Sequence, residues 1–263
     1  MEPLIPADAT RADRARFLRF AHQLADRARL FLKGLDPDER QVSLKADGSY
    51  VSAADKQIEA LWREAITREF PDHGVVGEEY LAVGADSPWQ WILDPIDGTD
   101  NYVHGLPTFG SLIALRYEDR PILGLIDHPA LDLRLSAVEG LGAFCGGRLL
   151  RIRDEREAGL PILMVTAPEN FAKGEGMDVF CRLAGAFPNM RIYRDCFAHS
   201  AVLQGQAAAM VDWNVQVWDV AAAEAIVKEA GGAYVRLPGG SAERYRVVFG
   251  RPQVVDAIVA LIT

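Results

Sequence analysis

Residues 91–107 read WILDPIDGTDNYVHGLP and place Asp94, Asp97 and Asp100 within seven residues, directly after an apolar run. Trp91, Ile92 and Leu93 read as a buried strand, and Pro95 has no N–H with which to continue its ladder. The chain is therefore expected to leave the sheet at Asp94. Asp-Pro-Ile-Asp-Gly-Thr is tight-turn sequence, and Gly98 opens a backbone conformation closed to other residues. Asp94 and Asp97 lie three apart across that turn, so both carboxylates can face one point. Two such groups repel strongly when partly buried, which calls for a cation between them. An oxygen-only ligand set, without His or Cys, suits Mg²⁺ or Mn²⁺ better than Zn²⁺. The Ile96 carbonyl can add another oxygen, and the Gly98 and Thr99 N–H groups can receive an anion if a helix starts there. On this stretch alone, a second reading stays open: aspartates that only cap a turn.

Further acids stand at the ends of other elements. Glu78 and Glu79 end the strand-like GVVG of residues 74–77. Asp219 follows Trp218 at the head of a long helical pattern, and Asp55 falls in the first turn after Ser52. Taken singly, an acid in a first helical turn complements the helix dipole. Four acidic strand or helix ends in one chain make a joint accident harder to sustain.

The balance of charge narrows the partners. There are 28 Lys and Arg against 37 Asp and Glu, a formal charge of −9, which disfavours nucleic-acid and anionic-membrane surfaces. An anionic substrate remains compatible, because a bound divalent cation reverses the local field. The three cysteines, Cys145, Cys181 and Cys196, form no CxxC pair and read as reduced thiols. No apolar stretch is long enough to cross a membrane, and the first residues lack a secretory pattern. A cytoplasmic protein is expected.

Helical spacing runs from about Thr10 to Lys33, and again from Ser52, a cap with Asp55 in the box position, to Pro71. SLIALRYE (111–118), PILGLIDHP (121–129) and LDLRLSAVE (131–139) follow one another closely, which predicts an antiparallel meander. The alternation in LRLSAV predicts a half-exposed face. After about residue 160, strands at 161–166, 191–195 and 208–217 alternate with helices at 176–187, 197–208 and 218–232. Two short strands and a helix at 252–262 follow, together an α/β layer. The charged RIRDEREAG suggests a division into 1–155 and 156–263, the two parts forming one compact unit.

Gly77-Glu78-Glu79, Asp94-Pro95-Ile96-Asp97-Gly98-Thr99 and Trp218-Asp219-x-Ala221-Ala222 closely resemble, in order and spacing, the signature of the inositol monophosphatase family. The resemblance runs from about Lys45 to Gly232. It implies an α/β (α+β) fold, the layered αβαβα sandwich of the inositol monophosphatase and fructose-1,6-bisphosphatase type. It also implies a homodimer and a Mg²⁺-dependent phosphoric monoester hydrolase acting by direct attack of a metal-activated water, while the charge balance argues against a nucleic-acid or membrane partner. By resemblance, Glu78, Asp94 and the Ile96 carbonyl hold one metal ion, and Asp94, Asp97 and Asp219 hold a second. Thr99 and Asp55 position and deprotonate the water, with Glu79 near the metals. Asp97 and the backbone of Gly98 and Thr99 face the phosphate.

The substrate signals divide. Asp100-Asn101-Tyr102-Val103-His104-Gly105 resembles the inositol phosphatase loop. FGSLIALRYEDRPILGLIDHP and Asp195-Cys196-Phe197-Ala198 resemble the histidinol phosphatase branch, where Asp195 can pair with an ammonium or imidazolium. Asp212 stands where the family has a substrate-contacting Glu, one carbon longer. Arg194 departs from the family's small residue and reads equally as added charge or a solvated side chain. His22, His73, His128 and His199 read as surface or structural histidines, and His104 as a loop-orienting one. Histidinol phosphate is the expected substrate. The alternatives are inositol 1-phosphate and a non-catalytic regulatory protein on the same scaffold.

Overall fold

The structure, a computed structural model, describes residues 10–35, 42–45, 50–152, 161–239 and 244–263. Helix α1 (Arg11–Lys33) starts at Thr10, whose hydroxyl and N–H exchange hydrogen bonds with Asp13. The hairpin β1 (Val42–Leu44) and β2 (Tyr50–Ser52) leads into α2 (Ala53–Glu69). Ser52 and Asp55 begin α2 by the same reciprocal bonds, so Asp serves in the capping box as the sequence suggested. The two helices bury Phe20, Leu24, Ile58, Trp62 and Ile66, and the Trp62 indole N–H donates to the Leu24 carbonyl at 2.8 Å.

That helical layer covers a seven-stranded sheet. Its strands are β3 (Gly74–Gly77), β4 (Trp89–Asp97), β5 (Gly110–Tyr117), β6 (Arg120–His128), β7 (Leu133–Val138), β8 (Gly142–Cys145) and β9 (Arg148–Leu149), in that order. β3 runs parallel to β4 and the rest form the predicted meander, extended by β8 and β9, which the periodicity did not reveal. A short α3 (Thr99–Val103) connects β4 to β5. A second sheet orders β11 (Met190–Ile192), β10 (Leu163–Val165), β12 (Ala209–Val215), β14 (Tyr245–Gly250) and β13 (Ala233–Arg236). Its helices are α4 (Pro168–Lys173), α5 (Met177–Ala186), α6 (Cys196–Leu203), α7 (Val217–Glu229) and α8 (Pro252–Ile262). α6 and α7 lie between the sheets, while α4, α5 and α8 cover the far face of the second one. The layers are αβαβα, as the resemblance implied.

Two expectations are corrected. β4 does not stop at Asp94 but runs to Asp97, because a bulge absorbs Pro95: Asp94 pairs with Leu112 and Asp97 with Gly110. LRLSAV is not half exposed, since α1 packs on one face of β7 and α7 on the other, leaving Leu135 to Val138 buried. Most of the charged stretch at 151–159, and with it the division near residue 155, lies outside the described residues.

One close approach fixes the register between the layers. A Cβ on Gly124 of β6 would sit 2.1 Å from the Ala222 carbonyl oxygen. Only glycine on the sheet, facing small residues on α7, lets the helix come so near. Ala221 and Ala222 of the Trp-Asp-x-Ala-Ala motif therefore seat α7, and Asp219, in its first turn, is carried to the end of β4. Among the described residues no helix is long and apolar enough to cross a membrane.

Candidate active site

The bulge in β4 explains how two aspartates three apart share one side. In an unbroken strand, residues at odd spacing face opposite ways. The extra residue between Asp94 and Asp97 resets the alternation, and the Ser111 hydroxyl holds the distorted backbone by donating to the Pro95 carbonyl at 2.6 Å. Gly98 then turns the chain at φ +78°, and α3 begins at Thr99. Asp219 arrives from α7, its Oδ2 accepting the Gln216 N–H at 2.7 Å.

Asp94, Asp97 and Asp219 each bring an oxygen to within 4.8 Å of the others. Asp94 is 1% exposed, and its Oδ1 is buried with no hydrogen-bond partner. Asp97 accepts the backbone N–H of Cys196, which lies where α6 approaches Gly110 of β5. Burial, then the charges of Glu78 and Asp97, raises the Asp94 pKa well above its ordinary value. Burial also raises Asp97 and, with the nearby Asp97 charge, Asp219. Asp94 buried with an orphaned oxygen, Asp97 and Asp219 half-buried beside it, and no Lys or Arg bonded to the three among the described residues make a donor set that a divalent, oxygen-seeking ion fits.

Glu78 and Glu79 do not join that trio directly. Both are bound by Lys45 at the foot of the β1–β2 hairpin, Nζ donating to Glu78 Oε1 at 2.6 Å and Glu79 Oε1 at 2.7 Å. Burial pulls the Lys45 pKa down, but the two glutamates outweigh it and leave it raised. Glu79 is pushed up to about 7, by burial first, with Lys45 opposing. Beneath them lies Glu59 on α2, fully buried, accepting the Glu79 N–H at 2.8 Å and the Arg63 Nε–H at 2.7 Å. A Cβ on Gly77 would fall 2.1 Å from Glu59 Oε1, so the glycine of Gly-Glu-Glu admits this buttress.

Thr99 and Asp55 meet as expected. The Thr99 hydroxyl donates to the Ile96 carbonyl at 2.9 Å and reaches Asp55 Oδ1 at 3.4 Å. Asp55 Oδ2 accepts from the Ser52 N–H and hydroxyl. Burial, partly offset by Ser52, lifts the Asp55 pKa to about 6.

The acidic trio opens on a cleft of about 490 Å³, lined in part by Gly98, Thr99, Asp195, His199 and Asp212. A cavity of similar size beside Arg29 and Arg134 lies between α1 and β7, apart from these residues. Asp195 caps α6 by accepting the Phe197 N–H at 3.1 Å, and takes the Asn101 Nδ2–H at 2.5 Å. The inositol-like loop and the histidinol-like aspartate are thus bonded to each other. Burial and the Asp97 charge push Asp195 up to about 7. Arg194 is largely solvated, its closest acid being Asp100 at 3.8 Å.

His22, His73 and His128 are structural: His73 stacks between Phe70 and Trp89, and His128 joins the Phe109 carbonyl to Ser200. His199 is not merely that, for it lines the cleft and donates to Asp212 at 2.9 Å. Sequence reasoning passed over His199, Glu59 and the role of Lys45. Signals existed for two of them. His199 lies four residues after Asp195, on the same helical face, and Glu59 interrupts the apolar stripe of Ile58, Trp62 and Ile66 with a charge.

The fold and site define an αβαβα sandwich with a cluster of three aspartates where β4 meets α7. The chain belongs to the inositol monophosphatase family, whose pattern it matches over residues 13–260. It is 35% identical over 216 residues to a histidinol-phosphatase of Chlorobaculum parvum, covering 82% of this chain and 83% of that one. It is 33% identical over 208 residues to an inositol-1-monophosphatase of Mesorhizobium japonicum, covering 76% and 77%. The crystal structure of the extragenic suppressor protein suhB from Bartonella henselae superposes with a TM-score of 0.83 at 26% identity, covering 94% and 98%.

Proposed function

We propose that this protein is a Mg²⁺-dependent phosphomonoesterase acting on histidinol phosphate or a close analogue. The observation that carries the reading is the Asp94–Asp97–Asp219 trio, with the buried, orphaned Asp94 Oδ1, beside a cleft lined by Gly98 and Thr99. Those three aspartates, with Glu78 and the Ile96 carbonyl, are the residues that would hold two divalent ions; Mn²⁺ suits the same oxygens. Bound there, the ions would supply charge neutralisation of the phosphoryl oxygens and an acidified water.

The chain's own groups do the rest. The backbone at Gly98 and Thr99 seats the phosphate, and Asp97 borders it. Thr99 orients the attacking water and passes a proton toward Asp55. A carboxyl with a pKa near 6 is mostly ionised at neutral pH yet basic enough to accept that proton. Glu79, lifted toward 7, is a second proton-holding group at the same edge. The water oxygen bonds to phosphorus as the P–O ester bond breaks, the water's proton passing to Asp55 and the departing alkoxide taking a proton from solvent, with no phosphoenzyme.

The substrate assignment rests on Asp195 and Asp212, two buried carboxylates lining the same cleft as Asp97 and Asp219. They suit an amino alcohol better than a neutral polyol. Inositol 1-phosphate is the second reading, supported by the Asn101 loop in the same cleft. The test is phosphate release with Mg²⁺ from histidinol phosphate, inositol 1-phosphate, fructose 1,6-bisphosphate and 3′-phosphoadenosine 5′-phosphate. Histidinol phosphate should dominate, and Asp195→Asn should reduce that substrate most. Dominance of inositol 1-phosphate would reverse the ranking. Silence on all four with metal present would favour a regulatory role, which Asp219→Asn should leave intact.

A further inference from the structure

Asp212 lies in the middle of β12 and His199 in the second turn of α6, two elements that build one wall of the cleft. Both side chains are 3% exposed, yet both border the cleft. His199 Nε2 donates to Asp212 Oδ2 at 2.9 Å. The imidazole is buried and packs edge-on against Phe249, ring centroids 5.3 Å apart. Among the described residues, no other side chain donates to Asp212, and His199 Nδ1 is buried with no partner. The wall therefore holds a carboxylate with one oxygen pinned and the other unclaimed, beside an unsatisfied ring nitrogen.

Resting on the phosphatase reading above, we infer that His199 is a positioning residue for substrate selection: it pins Asp212 so that Oδ1 accepts a hydrogen bond from a donor group on the skeleton beside the phosphate ester. The donor is an ammonium or a hydroxyl. A substrate with neither leaves a buried carboxylate oxygen unpaired, and a site built around a hydrogen bond rejects such an analogue strongly. A short aspartate needs this support. Its reach is fixed by the backbone of β12, so its only freedom is rotation, which the rigid imidazole removes.

The test compares wild type with His199→Phe, His199→Gln, Asp212→Asn and the double variant His199→Phe/Asp212→Asn. Substrates are histidinol phosphate, inositol 1-phosphate and p-nitrophenyl phosphate, which carries no donor beside its ester. In His199→Phe, kcat/KM for the preferred donor-bearing substrate should fall about 10- to 100-fold relative to that for p-nitrophenyl phosphate, chiefly through KM. His199→Gln, which keeps an N–H donor, should recover part of the loss. The double variant should be no worse than Asp212→Asn alone. A loss confined to histidinol phosphate identifies the donor as the ammonium, and one confined to inositol 1-phosphate identifies a hydroxyl. An equal fall on all three substrates, or losses that simply add in the double variant, would overturn the inference. Wild type inactive on all three would overturn the phosphatase reading together with it.

Discussion

Two buried aspartates lie on opposite sides of β5. Asp127 is on β6, opposite Ser111, and Asp94 is on β4, opposite Leu112. Each is 1% exposed. Asp127 accepts from Arg29 through both oxygens, at 2.7 and 2.8 Å, and from Arg134 at 2.6 Å. Among the described residues no cationic side chain bonds to Asp94; the charges acting on it are those of Glu78, Asp97, Asp219 and Asp55, and Oδ1 bonds to nothing. The same residue type, at the same depth in the same sheet, is in one case a finished structural pairing and in the other an incomplete one. Burying a charge without a partner is costly, so the incomplete site is where a ligand belongs.

Neutralising each aspartate should therefore act in opposite directions. Asp94→Asn should lower kcat/KM by about 10³-fold or more, the several kcal/mol that metal assistance supplies to a phosphoryl transfer. In chelator the same variant should melt no lower than wild type, because an uncompensated buried charge has gone. Asp127→Asn should leave two guanidinium groups short of their shared acceptor and destabilise by about 3 kcal/mol, roughly 10 °C in Tm. Equal destabilisation by both changes would erase the distinction between the two sites.

Glu59 sharpens the comparison, since it is a third buried acid and belongs to both types. Its salt bridge to Arg63 resembles that of Asp127, but its second oxygen orients the Glu78–Glu79 turn by taking the Glu79 N–H. Glu59→Gln would set an amide donor against one of those two donors. Such outer supports are typically worth about tenfold in metal affinity or more. Mg²⁺ titration followed by calorimetry should therefore show about a tenfold weaker fit. An unchanged affinity would make Glu59 a packing residue only.

How far the sequence revealed these sites follows from what is local in each. Asp94, Asp97, Glu78 and Asp219 were legible because each lies at or near the end of an element whose period is plain, and because three short motifs agreed. α1, α2, α7 and α8 were legible from apolar spacing and caps. The bulge at Pro95 was not, because a proline reads as a strand stop unless the partner strand is known. Nor was the burial of Ser136 and Ala137, which depends on two helices distant in sequence. Arg29, Asp127 and Arg134 carry no local mark of their meeting. Lys45 was no easier, its contact with Glu78 and Glu79 being made across 33 and 34 residues.

The smallest expected effect is in the pH dependence. Asp55 at about 6, Glu79 at about 7 and Asp195 at about 7 are all raised, as are Asp94, Asp97 and Asp219. In the unfolded chain such carboxyls titrate near pH 4. The folded state binds protons more tightly, so its advantage is full below that value and is lost as pH rises through 6 and 7. Metal-free protein should therefore melt lower at pH 8 than at pH 5. Mg²⁺ should reverse the trend, since a cation competes with protons for the same oxygens and gains as they leave. The Tm gain from Mg²⁺ should be larger at pH 8 than at pH 5.5, and Asp94→Asn should abolish most of it while Asp127→Asn keeps it. A metal-free Tm that climbs steadily to pH 8 would mean these carboxylates find neutralising partners within the protein, and Asp94 would then be no different in kind from Asp127.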